Sequence, residues 1–217
     1  MTTTLSCRAI LFDMDGTLVD STVVVEQVWA RFADRFGLDL AVILETSHGR
    51  RMEDSIARFG PAGIDVAEVK KDLSDFEFVT TEGVVAVPGA ADFVRGLPAD
   101  GIALVTSAGR ELATMRMRSV GVPIPGVVVT AEDVDRGKPH PDPYLAAAAA
   151  LGVDPTDAIV FEDADAGIES GLAAGMRVVV VGSAAGDIAR DLPRIRDYSQ
   201  IGAALGGDGV ITLTLTS

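Results

Sequence analysis

Residues 12–21 read FDMDGTLVDS and directly follow the apolar residues 9–11, AIL. A predicted buried strand therefore ends on two aspartates, Asp13 and Asp15, that are one residue apart. Desolvating a carboxylate at the tip of a strand costs free energy unless a positive charge meets it. The pair can be ordinary turn residues, because Asp-Gly is a common turn sequence, or it can hold a cation and take part in chemistry. The rest of the sequence decides between the two.

Composition and charge exclude several classes of protein. The chain has 217 residues, of which 48% are hydrophobic, which is enough for one sizeable packed core. The formal net charge of −14, with no Lys/Arg run longer than a pair, argues against nucleic acid and anionic membranes as partners. Cys7 is the single cysteine, so neither an internal disulfide nor a cysteine-based zinc site is possible. No signal peptide or bilayer-length apolar stretch is evident, so we expect a cytoplasmic protein, monomeric by default.

Short β-rich runs alternate with amphipathic helical runs along most of the chain. The predicted strands lie at 8–13, 102–106, 127–130, 158–162 and 177–181, and the predicted helices near 89–97, 110–120, 141–151 and 165–174. This alternation predicts an α/β fold with a Rossmann-like parallel sheet. The tail at 210–217, VITLTLTS, predicts a further strand at a sheet edge.

One interval, from about residue 21 to 87, contains helix signals without a convincing strand. Val24, Val28, Phe32 and Phe36 recur every four residues and form one apolar helical face. Further helices are predicted near 39–46, 51–59 and 66–79. We therefore predict an α-helical cap domain at 20–87, inserted into a core domain formed by 1–19 and 88–217.

Polar residues follow four of the predicted sheet strands. They are Asp13 and Asp15, Thr106 and Ser107, Lys138, and Glu162 and Asp163. Ligands bind beyond the carboxyl ends of the strands in an open parallel sheet, so these side chains are expected at one edge.

This set of residues suits phosphoryl transfer. Several carboxylates near one point repel each other unless a divalent cation lies among them, and oxygen-only ligands favour Mg²⁺. Lysine and hydroxyl donors can neutralise phosphoryl oxygens as charge shifts. One aspartate can attack phosphorus, and a second, two residues on, can protonate the leaving oxygen and later activate water.

Four motifs resemble the haloacid dehalogenase superfamily, and the position of the inserted helices resembles its helical-cap branch. The motifs are DMDGT at 13–17, Thr-Ser at 106–107, GKPHPD at 137–142 and EDADAGI at 162–168. The resemblance covers nearly the whole chain. It implies that Asp13 is the nucleophile and Asp15 the general acid/base, and that Thr106 and Lys138 bind phosphate. Ser107, next to Thr106, is a further candidate to bind phosphate through its hydroxyl or backbone, or it can be structural.

The same resemblance implies a Mg²⁺ site. Its ligands would be the carboxylates of Asp13 and Asp163 and the backbone carbonyl of Asp15. Glu162 would bind the metal directly or through water, and the sequence leaves this open.

Four longer stretches resemble a narrower group, the small sugar and sugar-alcohol phosphatases, which include hexitol, glycerol-3-phosphate and 2-deoxyglucose-6-phosphate phosphatases. The stretches are SHGRR at 47–51, TTEGVVAVPGA at 80–90, LVTSAGR at 104–110 and VTAEDVDRGKPHPDPYL at 129–145. In that group the first stretch faces the substrate, which implies that His48, Gly49 and Arg50 are cap residues contacting it.

The sequence therefore predicts a Mg²⁺-dependent phosphatase that hydrolyses small phosphorylated sugars or polyols through an aspartyl phosphate. An alternative is a mutase resembling β-phosphoglucomutase, although Val25 and Met52 stand where such mutases carry a cap histidine and a cap arginine. A third possibility, from a different class, is a phosphoacceptor or binding module without turnover. The order of the motifs differs from that of receiver domains, and every catalytic position is filled.

Overall fold

Strands and helices alternate along the chain in a computed structural model that describes residues 2–183 and 186–216. The strands are β1 (Thr2–Cys7), β2 (Ala9–Phe12), β3 (Val19–Asp20), β4 (Val85–Ala86), β5 (Ile102–Val105), β6 (Val127–Val129), β7 (Ala158–Glu162), β8 (Arg177–Val181), β9 (Arg194–Ile195), β10 (Ile201–Leu205) and β11 (Ile211–Thr216). The α-helices are α1 (Thr22–Phe36), α2 (Leu40–Ser47), α3 (Met52–Phe59), α4 (Val66–Val79), α5 (Ala90–Arg95), α6 (Arg110–Ser119), α7 (Asp142–Leu151) and α8 (Asp165–Ala173). Across these two ranges, no helix has both the length and the apolar character needed to cross a membrane.

A six-stranded parallel sheet forms the centre of the molecule, in the order β6-β5-β2-β7-β8-β9. β2, one of its two central strands, has successive side chains on opposite sides of the sheet, and all four of its residues are buried. Ile10 and Phe12 belong to the cluster that includes residues of α5 and α6, whereas Ala9 and Leu11 belong to the cluster that includes residues of α7 and α8. The predicted α/β fold class is confirmed, and the predicted strands at 158–162 and 177–181 match β7 and β8.

The C-terminal strand lies elsewhere than the sequence predicted. β11 is the central strand of a separate antiparallel sheet, ordered β1-β11-β10, and not an edge strand of the main sheet. Ile211, Leu213 and Leu215 alternate with threonines and turn into the main core. Such alternation suits an antiparallel sheet with one buried face. Residue 217 of the predicted strand lies outside the described residues.

Helices α1 to α4 surround a hydrophobic cluster of their own, which contains Val28, Phe32, Ile43, Ile56 and Leu73. The chain enters and leaves these helices through β3 and β4, which pair with each other in antiparallel register. The separate hydrophobic cluster, and the pairing of β3 with β4 where the chain enters and leaves the helices, are typical of an inserted helical cap. The exact boundary at 20–87 stays a prediction that this arrangement supports.

The small antiparallel sheet should contribute measurably to the stability of the whole core. Leu213 is fully buried in that sheet, so Leu213→Ala should lower the free energy of unfolding by about 2–5 kcal/mol. Leu205, in the same sheet, is 59% exposed, so Leu205→Ala serves as the matched control and should change the free energy by less than about 0.5 kcal/mol. Urea denaturation of both variants measures the difference. Equal, small losses would show that this sheet does not stabilise the core.

Candidate active site

The predicted site residues meet where the central strands end. Asp13 and Asp15 follow β2, Thr106 follows β5, and Asp163 follows β7. These four residues line one wall of a cavity of about 860 Å³, and residues of α1 to α4 line the other. The site therefore lies between the sheet edge and the helical cap.

Lys138 is the cation that pairs with the acidic residues beneath this cavity. It lies between β6 and α7, is 1% exposed, and donates from Nζ to Asp13 Oδ1 at 2.5 Å, Glu162 Oε1 at 2.7 Å and the carbonyl of Val105 at 3.0 Å. Burial lowers the pKa of Lys138, but the charges of Asp13 and Glu162 outweigh burial and raise it above its ordinary value. Lys138 is therefore a permanent cation with its three donors engaged.

Both carboxylate oxygens of Glu162 accept hydrogen bonds from protein groups. Its Oε1 accepts from the hydroxyl of Tyr144 at 2.8 Å as well as from Lys138, and its Oε2 accepts from the backbone N–H groups of Asp163 and Ala164. A Cβ at Gly167 would lie 1.6 Å from Oε1, so the close approach of this helix needs glycine. Glu162 is thus oriented toward Lys138. Tyr144 was not recognised as a site residue from the sequence, although it is the last residue but one of the quoted stretch at 129–145.

Asp13, Glu162 and Asp163 form an acidic cluster that could hold a metal ion, with one carboxylate oxygen of each within 4.8 Å of the others. Burial, together with the charge of Glu162, raises the pKa of Asp13 to about 8 despite Lys138. Burial and the charge of Asp13 also raise the pKa of Asp163. One lysine cannot balance three carboxylates, two of them buried and one half-buried, and an all-oxygen donor set suits a hard divalent cation.

The chain around Asp163 is shaped to keep its carboxylate in place. Thr17, a buried residue of the DMDGT motif, donates from Oγ1 to Asp163 Oδ1 at 2.9 Å. Gly16 has a φ of +87°, and a Cβ there would lie 2.0 Å from Asp163 Oδ2. The glycine is needed both for its left-handed backbone and for the approach of the carboxylate.

Asp15 makes different contacts from Asp13. Its Oδ1 accepts from the hydroxyl of Ser21 at 2.7 Å and from Arg116 of α6 at 2.8 Å. Arg116 also donates to Glu77 in the last turn of α4, at 2.8 Å. The sequence reasoning did not place Ser21, Arg116 and Glu77 in the site. Ser21 is six residues from Asp15, whereas only the fold brings Arg116 and Glu77 close to it.

The two hydroxyl residues after β5 differ in their contacts. Thr106 is 4% exposed, and its Oγ1 accepts from the N–H of Ala108 at 3.1 Å. Ser107 donates from Oγ to the carbonyl of Gly49 at 2.7 Å and so joins the core to the cap. Gly49 has a φ of +75°, and a Cβ there would lie 2.9 Å from the Cβ of Ala164, so this contact needs a glycine.

The predicted cap residues His48, Gly49 and Arg50 all line the cavity. Val25 and Met52, the two positions that distinguish the chain from the mutases, line it too. Their roles toward a substrate stay predictions, because contact with the cavity alone does not establish them.

The acidic cluster should make the metal-free protein less stable as pH rises. The pKa of Asp13 is raised to about 8, from about 3.9 in an unfolded chain, so its ionisation removes stability between these two values. Asp13→Asn cannot ionise, so in EDTA it should exceed the wild type in stability by a margin that grows from pH 5 to pH 8. A margin of about 1 kcal/mol would raise the melting temperature by about 2–4 °C. Thermal melts at both pH values measure this, and a margin that shrinks with pH would contradict it.

Known proteins resemble the chain throughout this core. Residues 7–175 match the family model of the haloacid dehalogenase-like hydrolases. The chain is 42% identical over 199 residues to hexitol phosphatase A of Escherichia coli (strain K12), covering 90% of each protein. It is 36% identical over 186 residues to glycerol-1-phosphate phosphohydrolase 2 of Saccharomyces cerevisiae (strain ATCC 204508 / S288c), covering 81% of this chain and 74% of that one.

Among solved structures, CbbY from Rhodobacter sphaeroides in complex with phosphate has the same fold. The TM-score is 0.72 at 22% identity, over 89% of this chain and 96% of that one. The family model and the two relatives settle the family: the chain belongs to the haloacid dehalogenase-like hydrolases, and it is a phosphoric monoester hydrolase similar to phosphatases of sugars and polyols.

Proposed function

We propose that the chain is a Mg²⁺-dependent phosphatase that hydrolyses small phosphorylated sugars or sugar alcohols through an aspartyl phosphate. The observation that carries the proposal is the buried contact of Lys138 with Asp13, beside Asp163 and at the base of a cavity. An attacking carboxylate, a cation and a metal-binding carboxylate are the parts that phosphoryl transfer requires.

The residues present fit Mg²⁺. Its ligands would be the carboxylates of Asp13 and Asp163 and the backbone carbonyl of Asp15. Both oxygens of Glu162 already accept hydrogen bonds from protein groups, so we assign Glu162 to holding Lys138, with any contact to the metal made through water. When bound, the metal supplies positive charge against the phosphoryl oxygens and the buried carboxylates.

In the proposed reaction, the carboxylate of Asp13 attacks phosphorus and the phosphorus–oxygen ester bond breaks. The leaving oxygen takes the proton of Asp15 and departs as an alcohol. Water then attacks the aspartyl phosphate and gives a proton to Asp15, which releases inorganic phosphate and restores Asp13. Lys138 orients Asp13, and Thr106 and Ser107 supply polar groups for the phosphoryl oxygens.

The charge of the cavity favours a substrate with one phosphate and a neutral body. Eight lining residues are acidic, namely Asp13, Asp15, Glu53, Asp75, Glu77, Glu111, Glu132 and Asp163. Three are basic, and two of these pair with acidic neighbours: Arg116 with Asp15 and Glu77, and Lys70 with Glu53 at 3.0 Å. A second phosphate would meet repulsion here. This supports a monophosphate phosphatase over the mutase alternative, and the named hexitol and glycerol phosphate relatives agree with it.

The nucleophile can be tested on a panel of sugar, hexitol and glycerol phosphates with Mg²⁺. The wild type should release inorganic phosphate from at least one of them, and Asp13→Asn should lower that rate at least about a thousandfold, because the attacking group is lost. Asp100→Asn, at an exposed aspartate outside the site, is the control. EDTA should also abolish turnover, and Mg²⁺ should restore it.

Two results would contradict this function. Full turnover by Asp13→Asn would show that Asp13 is not the nucleophile. Conversion of glucose 1-phosphate to its isomer without phosphate release would favour the mutase.

Recognition of a polyol is also testable in the cap. The hydroxyls of Ser47 and Ser55 are buried, and neither has a hydrogen-bond partner among the described residues. Only Ser47 of the two lines the cavity, so we propose that it binds a substrate hydroxyl. Ser47→Ala should raise KM by about 2- to 10-fold, the worth of one hydrogen bond, with kcat nearly unchanged. Ser55→Ala is the matched control, and equal KM values for the two variants would contradict this role.

A further inference from the structure

Arg116 is an arginine buried in the core of the protein. It is 2% exposed and lies on α6 with Ala113 and Met117, the spacing of the face that packs inward. A guanidinium in such a place costs free energy unless its charge is paired, and an apolar residue of similar volume often packs there as well or better. Packing alone therefore does not account for an arginine at this position.

The contacts of Arg116 join three separate parts of the chain. One terminal nitrogen donates to Oδ1 of Asp15, after β2, and the other donates to Oε1 of Glu77, in the cap helix α4, both at 2.8 Å. Glu77 is 7% exposed, and burial raises its pKa although Arg116 opposes this. The planar guanidinium has its donors in a fixed fork, so the two bonds fix its orientation.

The same contacts fix the carboxylate of Asp15. Ser21 and Arg116 both donate to Oδ1, and within the described ranges no other hydrogen bond reaches this carboxylate. Oδ2 is then the oxygen available to exchange a proton with the substrate, since Asp15 lines the cavity.

We propose that Arg116 is a positioning residue for proton transfer by Asp15, and that Glu77 orients Arg116 from the cap. This inference rests on the proposed function, in which Asp15 protonates the leaving oxygen. Arg116 connects Glu77 of the cap to Asp15 of the core. The carboxylate of Asp15 is therefore oriented when the cap lies against the core, as it does in this structure.

The inference predicts a dependence on the leaving group. An alkoxide from a hexitol phosphate needs a proton to depart, whereas p-nitrophenolate leaves readily without one. General acid catalysis contributes about 10²- to 10⁴-fold, and misplacing a catalytic group by about 1 Å can cost about 10²-fold. Loss of Arg116 should therefore slow hydrolysis of the alkyl ester far more than that of the aryl ester.

The experiment compares kcat/KM for sorbitol 6-phosphate and for p-nitrophenyl phosphate with Mg²⁺, because both esters form the same aspartyl phosphate and kcat/KM reports the step in which the leaving group departs. Arg116→Met should lower the alkyl-to-aryl ratio at least about 10-fold, and Arg116→Lys, which keeps the charge but loses the fork, should lower it less. Glu77→Leu, which removes the acceptor for Arg116, should also lower the ratio, and Glu77→Gln, which keeps an acceptor oxygen, should lower it less. Arg110→Met removes an exposed arginine of the same helix, paired with Asp133, and should leave the ratio unchanged.

Asp15→Asn separates failure of this inference from failure of the proposed function. If Asp15→Asn leaves the ratio at its wild-type value, the proposed acid–base chemistry is wrong and the inference falls with it. If Asp15→Asn lowers the ratio but folded Arg116 variants do not, the inference alone is overturned. Circular dichroism establishes folding, and should Arg116→Met fail to fold, Arg116→Lys decides on the same ratio.

Discussion

The site depends on the hydrogen bonds and ion pairs that the ammonium group of Lys138 makes. This group binds a carboxylate from the end of β2, a carboxylate from the end of β7 and a carbonyl from the end of β5. Three neighbouring strands are thus joined at the edge where the sheet opens to the cavity. Removing one partner of a buried ion pair leaves an uncompensated charge and costs about 3–5 kcal/mol. The same lysine therefore contributes to the stability of the sheet edge and to the position of Asp13.

Two glycines make this concentration of charge geometrically possible. Gly16 admits the carboxylate of Asp163, and Gly167 admits that of Glu162. A Cβ at Gly16 would lie 2.0 Å from Asp163 Oδ2, and a Cβ at Gly167 would lie 1.6 Å from Glu162 Oε1, so any side chain there would displace these carboxylates. Burial and the charges of the neighbouring carboxylates raise the pKa of Asp13 and Asp163, and a bound cation would offset that negative charge.

The sequence predicted those residues of the site that lie at the ends of the sheet strands. A parallel sheet gathers its strand ends at one edge, so the positions after β2, β5 and β7 could be predicted to meet. Arg116 could not be predicted, because α6 carries three arginines and periodicity does not show that the buried one has a partner 39 residues away in the cap. β1 was missed for a similar reason, because its polar residues pair with β11 at the other end of the chain.

Three contacts between cap and core have different consequences for chemistry. Ser107 donates to the carbonyl of Gly49, and Arg51 donates to the carbonyl of Asp135, so both contacts end on backbone groups. The contact of Glu77 with Arg116 instead continues to the carboxylate of Asp15. The cap therefore forms a wall of the cavity and also orients the proposed acid/base. Displacing the cap from the core would therefore change both the shape of the cavity and the contacts that orient Asp15.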